Sequence, residues 1–269
     1  MKKEITIEQQ RQIQLDLLIY VDSFCRDNHI DYSLAFGTLL GAVRHKGYIP
    51  WDDDIDIMMT RKNYERFRNL YSSERFPFAD LKNSKSHPVS MGKIYDSQTY
   101  FYYQGNIKRD YGLFIDVFPL DVVPEQEGIR MKWLKKVKWY SKLNQFKNNS
   151  FTFSLKQPKI THRVLGCFVK MFFSSSNIHN KLDSLYFKYD KDSSKILGVP
   201  AVMVMSKKNL SKMFPQRLFD NYIMLDFEGK QFQCIQKYDE FLRIFYGDYM
   251  QLPPVEKRIG KHGIKAYYK

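Results

Sequence analysis

The chain has 269 residues, 43% hydrophobic and 27% charged, the proportions of a soluble globular protein with room for one core, or a core and an accessory lobe. Its three isolated cysteines and six scattered histidines exclude a disulfide framework and a zinc site built from local motifs. The net charge of +14 is concentrated: residues 128–182 hold no Asp or Glu but twelve Lys and Arg, a segment suited to polyanions.

In chain order, Met1–Glu4 leads into a polar stretch without the apolar stretch of a secretory signal, so a cytoplasmic location is expected. Ile13, Leu17, Val21 and Phe24 recur at helical spacing and predict an amphipathic helix ending near Asn28. A strand is predicted over Asp31–Phe36, then a short helix or turn over Leu39–His45 and a strand over Asp54–Met58. Tyr64, Phe67, Leu70 and Tyr71 predict another helix. Val89–Tyr95, Thr99–Tyr103 and Gly112–Phe118 are predicted strands. Beyond Pro124 the pattern is mostly helical and basic, with a loop at Ser174–Asn177 and a last helix over Tyr238–Tyr246 that stops at Gly247. The longest apolar run, Val164–Phe173, is broken by Lys170 and too short to span a bilayer. The expected fold class is α/β (α+β): a core with a mixed sheet over 1–125, followed by a helical, basic region over 126–269 packed on it.

The most informative stretch is Trp51-Asp52-Asp53-Asp54-Ile55-Asp56-Ile57-Met58. On a strand Asp54 and Asp56 share one face while Ile55 and Ile57 point to the core. Two carboxylates held side by side repel unless a cation lies between them, and Mg²⁺ or Mn²⁺ suits oxygen ligands. A solvated acidic turn is the alternative, but it leaves the alternation with isoleucine unexplained. Upstream, Gly37-Thr38-Leu39-Leu40-Gly41-Ala42-Val43-Arg44 places small residues at a strand-to-helix turn. There, backbone N–H groups near Gly37, Thr38 and Gly41 can approach a phosphate, with Arg44 and Lys46 neutralising its oxygens. A tight turn that needs glycine for its dihedrals is an equal alternative. Asp116, alone among apolar residues, is the expected third carboxylate, with Asp121 as the alternative.

Tyr32-Ser33-Leu34, the run Gly37–His45, the run Ile49–Ile57, Gly112–Asp121 and Tyr246–Pro254 together closely resemble, in order, the blocks of the LicD family. The resemblance spans nearly the whole chain, with no motif between about Gly128 and Pro200. It implies a nucleotidyltransferase fold with metal on Asp54, Asp56 and Asp116. It also implies transfer of phosphocholine from CDP-choline, or another phospho-alcohol from a CDP-alcohol, to a hydroxyl of a lipid-linked teichoic acid or lipopolysaccharide precursor. Fukutin-type relatives transfer ribitol phosphate. On this reading Lys93 contacts the diphosphate, and Tyr95, Tyr100 and Tyr102 are candidates for an aromatic cage around choline. Asp248, Arg258 and His262 are candidate donor or acceptor contacts.

A lipid-linked acceptor implies an enzyme at the inner membrane surface, which suits the basic segment with its Trp133, Trp139 and Tyr140. Nucleic acid is then not an expected partner. Nucleotidyl transfer from a nucleoside triphosphate, and a non-catalytic basic RNA-binding module, are the competing functions.

Overall fold

Strand β1 (Glu4–Ile5) runs into helix α1 (Ile7–Asp27), whose start is fixed by a capping box. The Thr6 hydroxyl accepts from the Gln9 N–H, and the Gln9 side chain accepts from the Thr6 N–H. This computed structural model describes residues 3–87, 89–103, 107–108, 111–148, 160–190, 194–258 and 264–269, the side chains at 103, 107–108, 160–165 and 264 excepted. The buried face of α1 carries Leu17, Leu18, Val21 and Cys25 at helical spacing, together with the polar Gln10 and Gln14.

Next come β2 (Ser33–Leu34), α2 (Phe36–His45), β3 (Asp56–Thr60), α3 (Arg61–Leu70), β4 (Phe78–Ala79), β5 (Gly92–Tyr95), β6 (Thr99–Tyr103), β7 (Ile107–Lys108) and β8 (Phe114–Val122). Helices α4 (Glu127–Lys147), α5 (Ile160–Phe172) and α6 (Ser175–Tyr186) follow, then β9 (Ile196–Gly198), α7 (Pro200–Met203) and β10 (Met213–Pro215). The chain ends with β11 (Tyr222–Phe227), β12 (Lys230–Ile235), α8 (Tyr238–Tyr246) and β13 (Ile264–Tyr268).

The residues form two compact units. One comprises Met1–Phe78, Lys93–Pro119 and Gln216–Lys269; the other Ala79–Gly92 and Leu120–Pro215. In the first unit β3 lies between β2 and β8, and β5 also pairs with β8. Ile55, Ile57, Leu34, Leu17 and Phe67 are fully buried there. A second sheet in this unit orders β1, β13, β6 and β7, so the last strand pairs with the first. The hairpin β11–β12 completes the unit.

In the second unit, Asp121 and Val122 at the end of β8 pair antiparallel with β9, which pairs with β10. Its core gathers Val123, Trp133, Val137, Phe146, Ile178 and Leu182, largely from α4 and α6.

The fold class is the expected α/β (α+β) one, and the helices over α1, α3 and α8 lie where periodicity puts them. Three local differences have clear causes. The strand predicted over Asp31–Phe36 reduces to β2, because α2 already begins at Phe36. Ser174–Asn177 is a helix start: the Ser174 hydroxyl accepts from the Asn177 N–H, and serines favoured at caps read as loop in a sequence. The region after Met203 is less helical than expected, since β10 to β12 pair locally with one another or with β9.

Candidate active site

Strand β3 starts at Asp56, so Asp52, Asp53 and Asp54 lie in the loop before it, whereas the sequence pattern placed Asp54 on the strand. The loop is held by helix α1 instead of a sheet ladder. Gln10 Nε2 and Gln14 Nε2 donate to the Asp53 carbonyl at 2.9 and 3.1 Å, and Gln14 Nε2 also donates to the Phe114 carbonyl at 3.2 Å. Arg11 Nη2 donates to the carbonyls of Asp52 at 2.7 Å and Pro50 at 3.0 Å. Buried amides thus take up the carbonyls of an irregular segment that would otherwise be unpaired.

Asp56 is clamped at both backbone groups. Its N–H donates to the Thr38 hydroxyl at 2.8 Å, and its carbonyl accepts from the Ala35 N–H at 2.9 Å. Thr38 is buried, and its hydroxyl oxygen is aimed at Asp56. A Cβ added at Gly37 would lie 2.6 Å from Asp52 Oδ2, so the glycine lets this carboxylate fold over the start of α2. The preceding turn is strained: Phe36 has φ 41°, held by ring contacts to Phe118, Phe241 and Phe245.

Asp116 arrives on β8, docked by its N–H to the Ile55 carbonyl at 2.9 Å. Burial pushes the Asp56 carboxyl well above the usual carboxylate range, and the charges of Asp54, Asp116 and Asp52 raise it further, while Lys93 opposes them. Lys93 is itself buried; its Nζ lies 2.5 Å from Asp116 Oδ1 and 3.4 Å from the centre of the Phe114 ring. Among the described residues, Asp52, Asp53 and Asp54 each offer a carboxylate oxygen within 4.8 Å of the others. An all-oxygen donor set, with carboxylates raising one another's proton affinity, fits a hard divalent cation such as Mg²⁺ or Mn²⁺.

A cationic and aromatic wall borders the acids. The Tyr246 phenol is pushed above the ordinary tyrosine range by burial of its hydroxyl and then by Asp56, Asp52 and Asp54, with Arg44 opposing. Arg44 Nη1 donates to the Tyr249 carbonyl at 2.5 Å, and burial followed by the charge of Arg258 lowers the Arg44 pKa. Arg258 lies 5.5 Å over the Trp51 ring and donates from Nε to the Pro253 carbonyl at 2.8 Å. Two guanidinium groups held close enough to oppose each other, beside an acid cluster, suit a diphosphate bound through a cation. Asp52 and Tyr246 were not singled out in the sequence; a tyrosine opening the Tyr246–Pro254 block was the available signal for the second.

Other predicted residues take different places. Gly41 lies within α2, packed so closely on the Gly47 carbonyl that a side chain has no room. Asp121 is not among the carboxylates acting on Asp56; it is buried opposite Gly198. Of the three cage tyrosines, Tyr100 and Tyr102 pack with Tyr267, whereas Tyr95 packs with Tyr111. Asp248 is exposed after α8, where its charge acts on Arg243. His262 lies outside the described residues.

Residues 29–160 match the family described as LicD/FKTN/FKRP, nucleotidyltransferase domain. The chain is 31% identical over 271 residues to the lipopolysaccharide cholinephosphotransferase LicD of Haemophilus influenzae, covering 98% of this chain and 99% of that protein. An uncharacterized protein of Rickettsia typhi is 30% identical over 108 residues, 40% of this chain and 34% of its own length. With similarity running the full length of an enzyme of that family, the chain belongs to the LicD family and is a phosphotransferase.

Proposed function

We propose that the protein transfers phosphocholine from CDP-choline to a hydroxyl of a lipid-linked surface-glycan precursor, releasing CMP. The observation that carries this reading is the crowding of carboxylates at this loop: Asp52, Asp53 and Asp54 offer oxygens within 4.8 Å of one another, and the charges of Asp54, Asp116 and Asp52 act on the half-buried Asp56. The full-length likeness to a lipopolysaccharide cholinephosphotransferase supports phosphocholine as the group moved.

A divalent cation held by Asp54, Asp56 and Asp116, with Asp52 beside them, would supply Lewis-acid neutralisation of the donor diphosphate. Arg44 and Arg258 take the remaining phosphate charge. The acceptor oxygen forms a bond to the phosphorus bearing choline, the bond from that phosphorus to the bridging oxygen breaks, and the electron pair leaves on CMP. The hydroxyl proton passes to a carboxylate of the cluster; Asp116, whose Oδ1 is fixed by Lys93, is assigned this task.

Incubation with Mg²⁺, CDP-choline and other CDP-alcohols, and lipid-linked glycan acceptors, followed by nucleotide analysis, tests the proposal. CMP release dependent on CDP-choline is expected, and Asp54→Ala and Asp56→Ala should each lower it by about a thousandfold or more. Full activity in either variant ends the proposal. Pyrophosphate release from a nucleoside triphosphate would instead indicate nucleotidyl transfer. RNA binding without turnover would indicate the non-catalytic alternative.

A further inference from the structure

Within the second unit, α4 presents a solvent face of Lys132, Lys135, Lys136, Trp139 and Lys142 at three- and four-residue spacing. Its other face buries Trp133, Leu134 and Val137, and Trp133 Nε1 donates to the Leu185 carbonyl. Of the aromatics that the sequence grouped with the lysines, Trp133 is therefore core and Tyr140 half-buried, while Trp139 is 59% exposed.

Helix α5 is tied to α4 where Lys147 Nζ donates to the Lys170 carbonyl at 2.8 Å. On α5, Val169 is buried, yet Phe168, Met171 and Phe172 are 51%, 76% and 63% exposed. Their spacing puts these three on one helix face. Large apolar side chains left in water on one face, within a segment that carries no carboxylate from Gly128 to Leu182, require an occupant that is both apolar and anionic.

The geometry points to the surface of an anionic lipid bilayer as that occupant. The α5 face enters the headgroup–acyl boundary, and the exposed α4 lysines meet lipid phosphates. A second copy of the chain fits poorly, because two acid-free basic segments would face each other. RNA fits less well than lipid, because Phe168 and Phe172 pack on each other at 4.5 Å between ring centres and Met171 offers no stacking plane. Among the described residues no helix is long and apolar enough to cross a membrane, so the attachment is peripheral. This inference is independent of the reaction proposed above.

Flotation of the full-length protein with vesicles tests it. Phosphatidylcholine vesicles containing about a quarter phosphatidylglycerol are compared with pure phosphatidylcholine vesicles, at low salt and at about 0.5 M NaCl. Binding to the anionic vesicles alone is expected, with a blue shift of Trp139 emission. A Phe168→Ser/Phe172→Ser variant should lose at least about tenfold in partitioning, and so should Lys135→Glu/Lys136→Glu. CMP release with a soluble acceptor should be unchanged in both. Absence of vesicle binding by the unsubstituted protein overturns the inference. So does binding that is indifferent to the Phe168/Phe172 substitutions, or an RNA oligonucleotide that displaces the vesicles at equal phosphate. None of these outcomes alters the CMP assay, so failure here and failure of the proposed reaction are separable.

Discussion

Asp56 combines two demands that oppose each other. Its backbone is fixed by Thr38 and Ala35, and its half-buried carboxylate feels the charges of three others, with Lys93 as the opposing cation. Without a bound metal ion the repulsion is a cost to the fold, so a group proposed to serve the chemistry destabilises the protein that carries it. Asp56→Asn removes one charge while nearly preserving shape. The variant should melt higher than the unsubstituted protein in chelator, by a few degrees, and should be inactive. Added Mg²⁺ or Mn²⁺ should raise the melting temperature of the unsubstituted protein and leave the variant nearly unmoved. A variant that melts lower in chelator would show that Asp56 is compensated by partners other than a cation.

Residue types alone made part of this site legible. Asp54, Asp56 and Asp116 stand out because acids among isoleucine and phenylalanine conflict with burial unless they have a task. Asp52 did not stand out, because a strand reading of the acidic run gives no reason to prefer it. Only the close approach permitted at Gly37 brings its carboxylate over α2. Tyr246 was hard to read for another reason: beyond its place opening the Tyr246–Pro254 block, nothing local to α8 indicates that the charges of Asp52, Asp54 and Asp56 act on its hydroxyl.

Among the elements, α1 has the least expected role. Its periodicity marks it as a core helix, and its apolar stripe fulfils that. Yet Gln10 and Gln14 on the buried face, with Arg11 beside them, hold the acidic loop by its carbonyls. Polar amides on a buried helix face were the signal, since such groups persist only with partners. Gln14→Leu keeps the volume but removes the side-chain donor to the Phe114 carbonyl and leaves the Asp53 carbonyl with Gln10 alone. It should cost on the order of 1–3 kcal/mol of stability and reduce turnover more than donor affinity, read as kcat against KM. If turnover stays intact, the helix is no more than a packing element for the loop.

Within α2, glycine has two meanings that a sequence does not separate. Gly37 admits the Asp52 carboxylate, whereas Gly41 admits only the backbone of Gly47. The same motif therefore supplies one close approach at the site and one in the packing behind it.

For the molecule as a whole, the second unit has its own titratable interior. The His179 ring nitrogen Nε2 lies 2.8 Å from Asn144 Oδ1, and Asn144 Nδ2 donates to the His87 carbonyl at 3.0 Å. Burial holds the His179 pKa below its usual value, with a backbone hydrogen bond at Leu81 and the charge of Asp80 partly opposing. The neutral ring is thus preferred in the folded state. As pH falls below about 6.5 the unfolded chain takes up a proton first, so stability declines until the folded ring also titrates. Melting temperature should fall between about pH 7.5 and 5.5, and His179→Gln should flatten that slope. An unchanged slope in the variant would assign the dependence to other groups.

The second unit is built from chain that interrupts the first, and the first closes only with β13 between β1 and β6. Glu4 and Ile5 pair with Tyr267 and Ala266, so β1 has no ladder partner until β13 has been synthesised. Tyr246 and Arg258 also arrive late, so through most of translation the carboxylates have Lys93 and Arg44 near them but lack this phenol and this second guanidinium. A nascent chain stalled before α8 lacks both groups and is expected not to hold the proposed donor, and refolding of the released protein is expected to be slow because contacts such as β1 with β13 span almost the full sequence.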